Sequence, residues 1–149
     1  ALHEINEYLA KQIAGDGEGA TALFEVKVKG ADSVEAAKVL AKSIACSNLT
    51  KTAIAGHDAN WGRIVCAMGY SGAQFDPEKV DLFFESKAGK IQIAEDGVAL
   101  DFSEEKATEI LSQPEVTAIA DVKMGDAEAT AWGCDLTHGY IEINADYRS

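Results

Sequence analysis

An acidic residue held between glycines is the feature of this sequence best suited to chemistry. Residues 15–21 read GDGEGAT, which places Glu18 between two glycines just before an apolar segment. Glycine tolerates positive φ and close backbone approach, so such a loop can present the Glu18 carboxylate into a cleft. The same composition is typical of an ordinary solvated turn, and spacing alone leaves both interpretations open. A phosphate site is disfavoured, because two carboxylates in the run repel an anion and no strand precedes it.

The end of the sequence offers a second group of polar side chains. Polar and apolar residues alternate over residues 140–144, which predicts a final strand with Asn144 on its polar face. The sequence ends at Ser149, at a terminus of the kind that is often frayed. If Asn144 and Ser149 are ordered near Glu18, the three residues supply hydrogen bonds and charge suited to a zwitterionic amino acid.

The run from His57 to Arg63 contains an aromatic and a basic side chain. Trp61 can contact a substrate, and Arg63 can grip a carboxylate with two hydrogen bonds. The alternative, which the spacing favours, is that Trp61 is a buried anchor at a helix start. The three histidines have no partner at metal-binding spacing, and the three cysteines lie far apart. We therefore expect no metal, no cofactor, and buried thiols in a reducing compartment.

The composition limits the classes of protein and partner. A chain of 149 residues with 47% hydrophobic residues can bury one core. Its net charge of −12 disfavours nucleic acid and an anionic membrane surface as partners. No apolar run approaches the roughly 20 residues that span a bilayer, and no secretory signal opens the chain. We expect a soluble domain in the cytoplasm or, in a eukaryote, in the mitochondrial matrix.

Hydrophobic periodicity predicts the elements that position these residues. It indicates about four helices and seven or eight strands. Helices are predicted to end near Gly15, to cover residues 34–44, to run from Asn60 or Asp58 through Met68, and to run from a Ser103 cap to just before Pro114. Strands are predicted at residues 22–28, 50–55, 80–85 and 140–144, with one hairpin around Asp96-Gly97 and another joining residues 116–122 to 128–134. The mixture predicts an α+β fold whose mixed or mostly antiparallel sheet carries the helices.

Four motifs, in order along essentially the whole chain, resemble one known family. They are residues 15–21 (GDGEGAT), 58–64 (DANWGRI), 129–137 (ATAWGCDLT) and 144–149 (NADYRS). Together they resemble the β chain of ornithine acetyltransferase, the glutamate N-acetyltransferase family of arginine biosynthesis. On this resemblance, residues 1–149 are the C-terminal portion of that β chain. Residues 1–21 form a helix and acidic glycine loop that lead into an α+β body at residues 22–149.

The resemblance implies a mechanism and a set of site residues. A precursor cleaves itself before a threonine, leaving an α chain and a β chain whose new N-terminal threonine is the nucleophile. Acetyl passes from N-acetylornithine to that threonine and then to glutamate, in a ping-pong transfer with the oxyanion hole on the α chain. Glu18, Asn144 and Ser149 match substrate-binding residues of the family. The implied assembly is a hetero-oligomer of α and β chains.

The sequence departs from the family pattern at its beginning. It opens with Ala1 instead of threonine, whereas the family's β chain extends further upstream. We therefore expect the nucleophile and the oxyanion hole on other polypeptide, and this chain alone to be inactive. The sequence leaves open whether acetyl-CoA is also a donor. The alternative function is a non-catalytic domain that binds an amino acid or a partner.

Overall fold

Six α-helices and six strands make up residues 1–146, the part of the chain that the computed structural model describes. The helices are α1 (Leu2–Gly15), α2 (Val34–Cys46), α3 (Asn48–Ala55), α4 (Trp61–Gly69), α5 (Glu104–Leu111) and α6 (His138–Asp146), and Pro77–Lys79 form a 3-10 turn. The strands are β1 (Leu23–Ala31), β2 (Asp81–Ser86), β3 (Gly89–Glu95), β4 (Val98–Ala99), β5 (Glu115–Asp121) and β6 (Ala127–Cys134). Ser149, one of the predicted site residues, lies outside the described residues.

The strands form one mixed sheet in the order β4-β3-β2-β5-β1-β6. β1 pairs in parallel with β5 and antiparallel with β6. The other neighbouring pairs are antiparallel. The predicted α+β class with a mixed sheet is confirmed, while the described helices outnumber the four that periodicity indicated.

The core lies on one face of this sheet. Phe24, Val26 and Val28 of β1 are fully buried, and the residues between them are more exposed, as alternation in a strand requires. α2 packs against β1 and β6, and α5 packs against β2 and β3. α1 lies on the opposite face, where Trp132 pairs with Glu25 across β6 and β1. Within residues 1–146, no helix combines the length and the apolar character needed to cross a membrane.

The predicted hairpin between residues 116–122 and 128–134 is wrong. Both strands exist, as β5 and β6, but β1 lies between them and pairs with each. The connection crosses over the end of β1, where the N–H groups of Met124 and Gly125 donate to the Gly30 carbonyl at 2.6 and 2.8 Å. The turn signal is therefore real, but it marks a crossover whose backbone donors are satisfied by a third strand.

Two segments predicted as strands are helical. Residues 50–55 belong to α3, which is capped by Ser47 through a bond from the Thr50 N–H at 3.3 Å. This cap and the burial of Ala53 and Ile54 outweigh the strand preference of the threonines. Residues 140–144 belong to α6, where none of the described residues is buried. The alternation of polar and apolar residues therefore does not reflect a strand with one buried face.

The thiols are less buried than expected. Cys46 and Cys66 are exposed, and Cys134 is partly buried. Cys46 is the last residue of α2, and Cys66 lies on the side of α4 away from the buried Ile64 and Ala67.

Candidate functional site

The glycine loop (residues 16–22) joins α1 to β1 and carries Glu18 at its tip. α1 ends where the Asp16 N–H donates to the Gln12 carbonyl at 3.1 Å. The Ala20 N–H then donates to the Gly17 carbonyl at 3.0 Å, which closes a four-residue turn with Glu18 at its second position. Glu18 is thus fixed in a tight turn and its side chain is exposed.

The glycines of this loop allow it to approach the start of α6. A Cβ added to Gly17 would lie 2.5 Å from the Cys134 sulfur. Gly19 has φ +70°, and a Cβ there would lie 2.5 Å from the Tyr140 nitrogen. Only glycine meets both conditions at Gly19 without strain. The sequence therefore encodes close contact between this loop and the β6–α6 segment.

Two of the three predicted site residues meet across this contact. The Asn144 side-chain amide donates to the Glu18 carboxylate at 2.7 Å, although the two residues are 126 positions apart. The same amide donates to the Tyr140 carbonyl at 2.9 Å, one helical turn earlier. Asn144 is therefore presented by α6 and not by the predicted strand. The element that positions Asn144 was predicted wrongly, and the substrate-binding role of Glu18 and Asn144 stays a prediction.

A small cavity lies beside Glu18. Its volume is about 210 Å³, and it is lined by Gly17, Glu18, Asn48, Lys51, Cys134, Asp135, Leu136 and Tyr140. It is smaller than the roughly 300–1,000 Å³ of pockets for drug-sized ligands. Glu18 and Lys51 place a carboxylate residue and an ammonium residue at one cavity. This combination suits a small molecule that carries both charges.

Asp135 holds the end of the glycine loop next to this cavity. One oxygen of its carboxylate accepts from the N–H groups of Thr21 and Ala22, at 2.7 and 3.0 Å. The other oxygen accepts from the Thr21 hydroxyl. The Thr137 hydroxyl donates to the Gly19 carbonyl at 2.6 Å. The residues after β6 therefore hold the loop at Gly19 and again at Thr21 and Ala22.

A larger cavity of about 760 Å³ lies between the ends of α3 and α5 and the start of α6. Its lining is Thr21, Ala22, Thr52, Ile54, Ala55, Gly56, His57, Leu111, Ser112, Gln113, Pro114, Leu136, Thr137, His138 and Ile141. None of these residues is an aspartate, glutamate, lysine or arginine. A charged amino acid gains less from such a surface than from the smaller cavity. We take the smaller cavity as the candidate site because Glu18 lines it.

Trp61 and Arg63 have structural contacts. Trp61 begins α4 and packs, partly buried, against the core, which favours the anchor interpretation. The Arg63 guanidinium donates to the Leu49 carbonyl at 2.8 Å and to the Thr52 hydroxyl at 3.2 Å, which ties α4 to α3. Among residues 1–146, no group of three or more His, Cys, Asp or Glu side chains is arranged to hold a metal ion.

Sequence reasoning missed Asp135 and Lys51. Asp135 follows directly after β6, and a polar residue at the end of a strand is a recognisable signal for a site. Lys51 stands in a segment predicted as a strand, and its position in α3 brings it to the cavity. No motif in the sequence singles it out.

The fold is that of an α+β domain, and the cavity at Glu18 is lined by side chains of both charges. The chain belongs to the ArgJ family, whose family model matches residues 1–149. The resemblance seen in the sequence motifs is thereby confirmed.

Individual relatives agree with the family. The chain is 55% identical over 149 residues to the arginine biosynthesis bifunctional protein ArgJ of Thermotoga neapolitana, covering 100% of this chain and 38% of that protein. It is 46% identical over 149 residues to the glutamate N-acetyltransferase of Methanopyrus kandleri, covering 100% of this chain and 38% of that protein. The chain therefore spans little more than a third of the length of these curated relatives.

A solved structure shows the same fold. The chain is similar to the crystal structure of the arginine biosynthesis bifunctional protein ArgJ from Bacillus halodurans, with a TM-score of 0.92 and 46% sequence identity. The match covers 98% of this chain and 67% of that chain.

Proposed function

We propose that this chain is the C-terminal part of the β chain of an enzyme that transfers acetyl from N-acetylornithine to glutamate. The transfer is a ping-pong reaction through an acetyl-threonine on polypeptide outside this chain. The observation that carries the proposal is the 2.7 Å bond between Asn144 and Glu18, which joins two predicted substrate-binding residues, of which Glu18 lines the small cavity. The names of the relatives, arginine biosynthesis bifunctional protein and glutamate N-acetyltransferase, support acetyl transfer to glutamate in arginine biosynthesis.

The two substrates of this reaction share the groups that the cavity suits. N-acetylornithine and glutamate each carry an α-carboxylate and an α-nitrogen that bears hydrogen. In our proposal the Glu18 carboxylate accepts a hydrogen bond from the α-nitrogen, and Lys51 attracts the α-carboxylate. A site of this kind holds the donor and then the acceptor in one orientation, as a ping-pong transfer requires.

The chain supplies substrate binding and not bond-making groups. The nucleophilic threonine and the oxyanion hole belong to other polypeptide in this proposal, so this chain alone is inactive. Its contribution is to hold each reacting atom against the threonine, and correct positioning of this kind accounts for a large part of enzymatic rate enhancement. Ser149, outside the described residues, remains a predicted third substrate-binding residue.

The partner surface in this proposal is the exposed apolar face of α1. Leu2 and Ile13 are 73% and 79% exposed, and Ile5 and Leu9 are exposed between them. At 100° per residue these four side chains lie on one side of the helix. The opposite side, with Ala10, Lys11 and Ala14 partly buried, faces β6 and β1.

α1 therefore rests on the sheet through its small and charged residues and turns its apolar residues to solvent. In a stable soluble protein a contiguous apolar patch of this kind marks a contact surface. We propose that the remaining part of the β chain and the α chain cover it. The partial coverage of the longer relatives supports a protein with further polypeptide to do so.

The competing function is a non-catalytic amino-acid-binding domain. It predicts that the chain binds ornithine or glutamate derivatives by itself, because Glu18, Lys51 and Asn144 are all present. The acetyltransferase proposal predicts weak or no binding to the isolated chain, since the site is completed by other polypeptide. Calorimetric titration of the isolated chain with N-acetylornithine separates the two.

The test of the proposed function is acetyl transfer by the whole enzyme. Ornithine and N-acetylglutamate formed from N-acetylornithine and glutamate are measured by chromatography, for wild type, Glu18→Ala and the control Glu128→Ala. Glu128 is an exposed carboxylate on β6. We expect Glu18→Ala to raise KM for both substrates about tenfold, the loss of a hydrogen bond to a charged group. Unchanged KM values would remove Glu18 from the site, and a wild type without transfer would refute the function.

A further inference from the structure

We propose that Asp135 is the positioning residue that fixes Glu18 for substrate binding. This inference rests on the proposed function, because it assigns a role within the same site. Asp135 does not carry the substrate contact in this proposal. It holds the loop that does.

The contacts of Asp135 are directed to the glycine loop. Its carboxylate accepts the N–H groups of Thr21 and Ala22 at 2.7 and 3.0 Å, as well as the Thr21 hydroxyl. Its own N–H donates to the Ala22 carbonyl at 3.1 Å. These bonds hold Thr21 and Ala22, which directly follow the turn that carries Glu18. They connect that turn to β6, which is paired with β1 within the sheet.

Within the part of the chain that the structure describes, the carboxylate of Asp135 is buried without a counter-charge. Asp135 is 3% exposed. None of the salt bridges formed within residues 1–146 includes it. Burying a charge without a counter-charge is costly unless hydrogen bonds satisfy it. The Asp135 carboxylate is satisfied by three donors, and all three belong to the glycine loop. We therefore explain the buried carboxylate by its role in fixing the conformation of that loop.

A second bond acts in the same direction. The Thr137 hydroxyl donates to the Gly19 carbonyl at 2.6 Å, on the residue directly after Glu18. Gly19 has φ +70° and lies against the backbone of Gly139. Asp135 and Thr137 therefore hold the two ends of the segment from Gly19 to Ala22. With both ends held, the Glu18 side chain keeps the position from which it meets Asn144.

The test is a double-mutant cycle in the whole enzyme with N-acetylornithine and glutamate. KM, kcat and the unfolding midpoint are measured for Glu18→Ala, Asp135→Ala and the double variant. We expect Asp135→Ala to raise KM about fivefold with kcat nearly unchanged, as the loss of a positioning hydrogen bond does. Because Asp135 acts through Glu18, the double variant should have the KM of Glu18→Ala alone.

Conservative and control variants separate positioning from support of the fold. Asp135→Asn should keep KM near wild type, because its amide oxygen can accept both N–H groups and its nitrogen can donate to the Thr21 hydroxyl. Asp126→Ala, an exposed aspartate before the other end of β6, should change neither KM nor the unfolding midpoint. If Asp135→Ala does not fold, Thr137→Val takes its place in the cycle, with the same expectation.

Several outcomes overturn the assignment. KM effects that multiply in the double variant show that Asp135 acts independently of Glu18. A lowered unfolding midpoint with unchanged KM shows support of the fold alone. Amide hydrogen exchange of residues 17–21 gives a readout that does not need activity: we expect faster exchange in Asp135→Ala and wild-type exchange in Asp135→Asn. Equal exchange in all three proteins overturns the inference even if the enzyme has another activity, whereas absent acetyl transfer alone overturns only the proposed function.

Discussion

Gly19 brings the glycine loop against α6, and its replacement is a direct test of that contact. A Cβ at Gly19 would lie 2.5 Å from the Tyr140 nitrogen and 2.6 Å from the Gly139 carbonyl carbon. We expect Gly19→Ala to lower the free energy of unfolding and to raise KM, because α6 must move away and take Asn144 with it. Urea unfolding and steady-state kinetics measure the two effects.

Gly72 provides the matched control for this prediction. It has φ +88°, and a Cβ there would meet nothing within 4 Å. Gly72→Ala therefore carries the strain of positive φ, about 1–2 kcal/mol, without the steric clash. Equal losses of stability in the two variants, with KM unchanged in both, would contradict the close contact at Gly19.

The Asn144 side chain donates a hydrogen bond to Glu18, so the charge of the residue that replaces Asn144 should affect the site. Asn144→Ala removes the 2.7 Å bond, whereas Asn144→Asp places a second carboxylate beside Glu18. We expect Asn144→Asp to raise KM more than Asn144→Ala does, because like charges at this distance repel. Gln74→Glu, at an exposed residue between α4 and β2, adds the same charge outside the glycine loop, α1 and α6 and should leave KM unchanged. The opposite order of the two Asn144 variants would show that the bond to Glu18 is not part of the site.

Candidate site residues could be predicted from the sequence only where they lie in a recognisable motif. Glu18 and Asn144 stand in runs that resemble a known family, and composition marked the Glu18 loop by its glycines. Asp135 stood inside such a run without an assigned role, because its importance comes from three bonds to a segment more than a hundred positions away. Lys51 reaches the cavity only through the packing of α3. Contacts of this kind are set by tertiary structure, which local sequence does not encode.

At the scale of elements, the sequence correctly predicted the helices that begin at a clear capping residue and the turn that has a clear turn motif. Asn60 and Ser103 cap α4 and α5, as expected. Asp96 and Gly97 both have positive φ, as the predicted tight turn between β3 and β4 requires. Residues 50–55 were predicted wrongly because the strand preference of threonine is weaker than the effect of a helix cap. Residues 140–144 were predicted wrongly because alternation indicates a strand only where one face is buried.

Lys123 links the β3–β4 turn to the crossover between β5 and β6, and this link should depend on pH. Its ammonium donates to Asp81 at 2.7 Å and to Asp96 at 2.6 Å. The bond with Asp81, and then that with Asp96, raises the pKa of Lys123 above its ordinary value of 10.5. A pKa raised by folding contributes stability that is full below the unfolded-state pKa and is lost as pH rises through the folded-state value.

We therefore expect the stability difference between wild type and Lys123→Met to be constant from about pH 7 to 10 and to shrink above that range. Denaturant unfolding at a series of pH values measures it. Lys87→Met, at an exposed lysine on the turn between β2 and β3, serves as the control and should show no such dependence. A difference that grows with rising pH would contradict the assigned bonds.

At the scale of the whole molecule, the composition indicated one core and the periodicity indicated the α+β class, and both agree with the structure. The order of the strands could not be predicted, because β1 pairs with two strands that begin more than eighty positions later. Local turn signals are the same for a hairpin and for a crossover. Here the connection is a crossover because β1 pairs with β5 along one edge and with β6 along the other.

The exposed apolar face of α1 leads to a prediction about assembly. Ile5→Asp combined with Ile13→Asp should reduce the recovery of this chain with the rest of the enzyme, because charges replace the apolar contact surface. Co-purification followed by size-exclusion chromatography measures that recovery. Val34→Asp combined with Val98→Asp changes two exposed valines elsewhere and should leave recovery unchanged. Equal recovery of both double variants would show that α1 is not the contact surface.

The most direct measurement is a crystal structure of the whole enzyme with N-acetylornithine bound. We predict that the α-nitrogen of the ligand lies within about 3.2 Å of the Glu18 carboxylate. We also predict that its carboxylate faces Lys51 and that Asn144 remains beside Glu18. A ligand bound in the larger cavity between α3 and α5, without contact to Glu18 or Asn144, would contradict the assignment of the site.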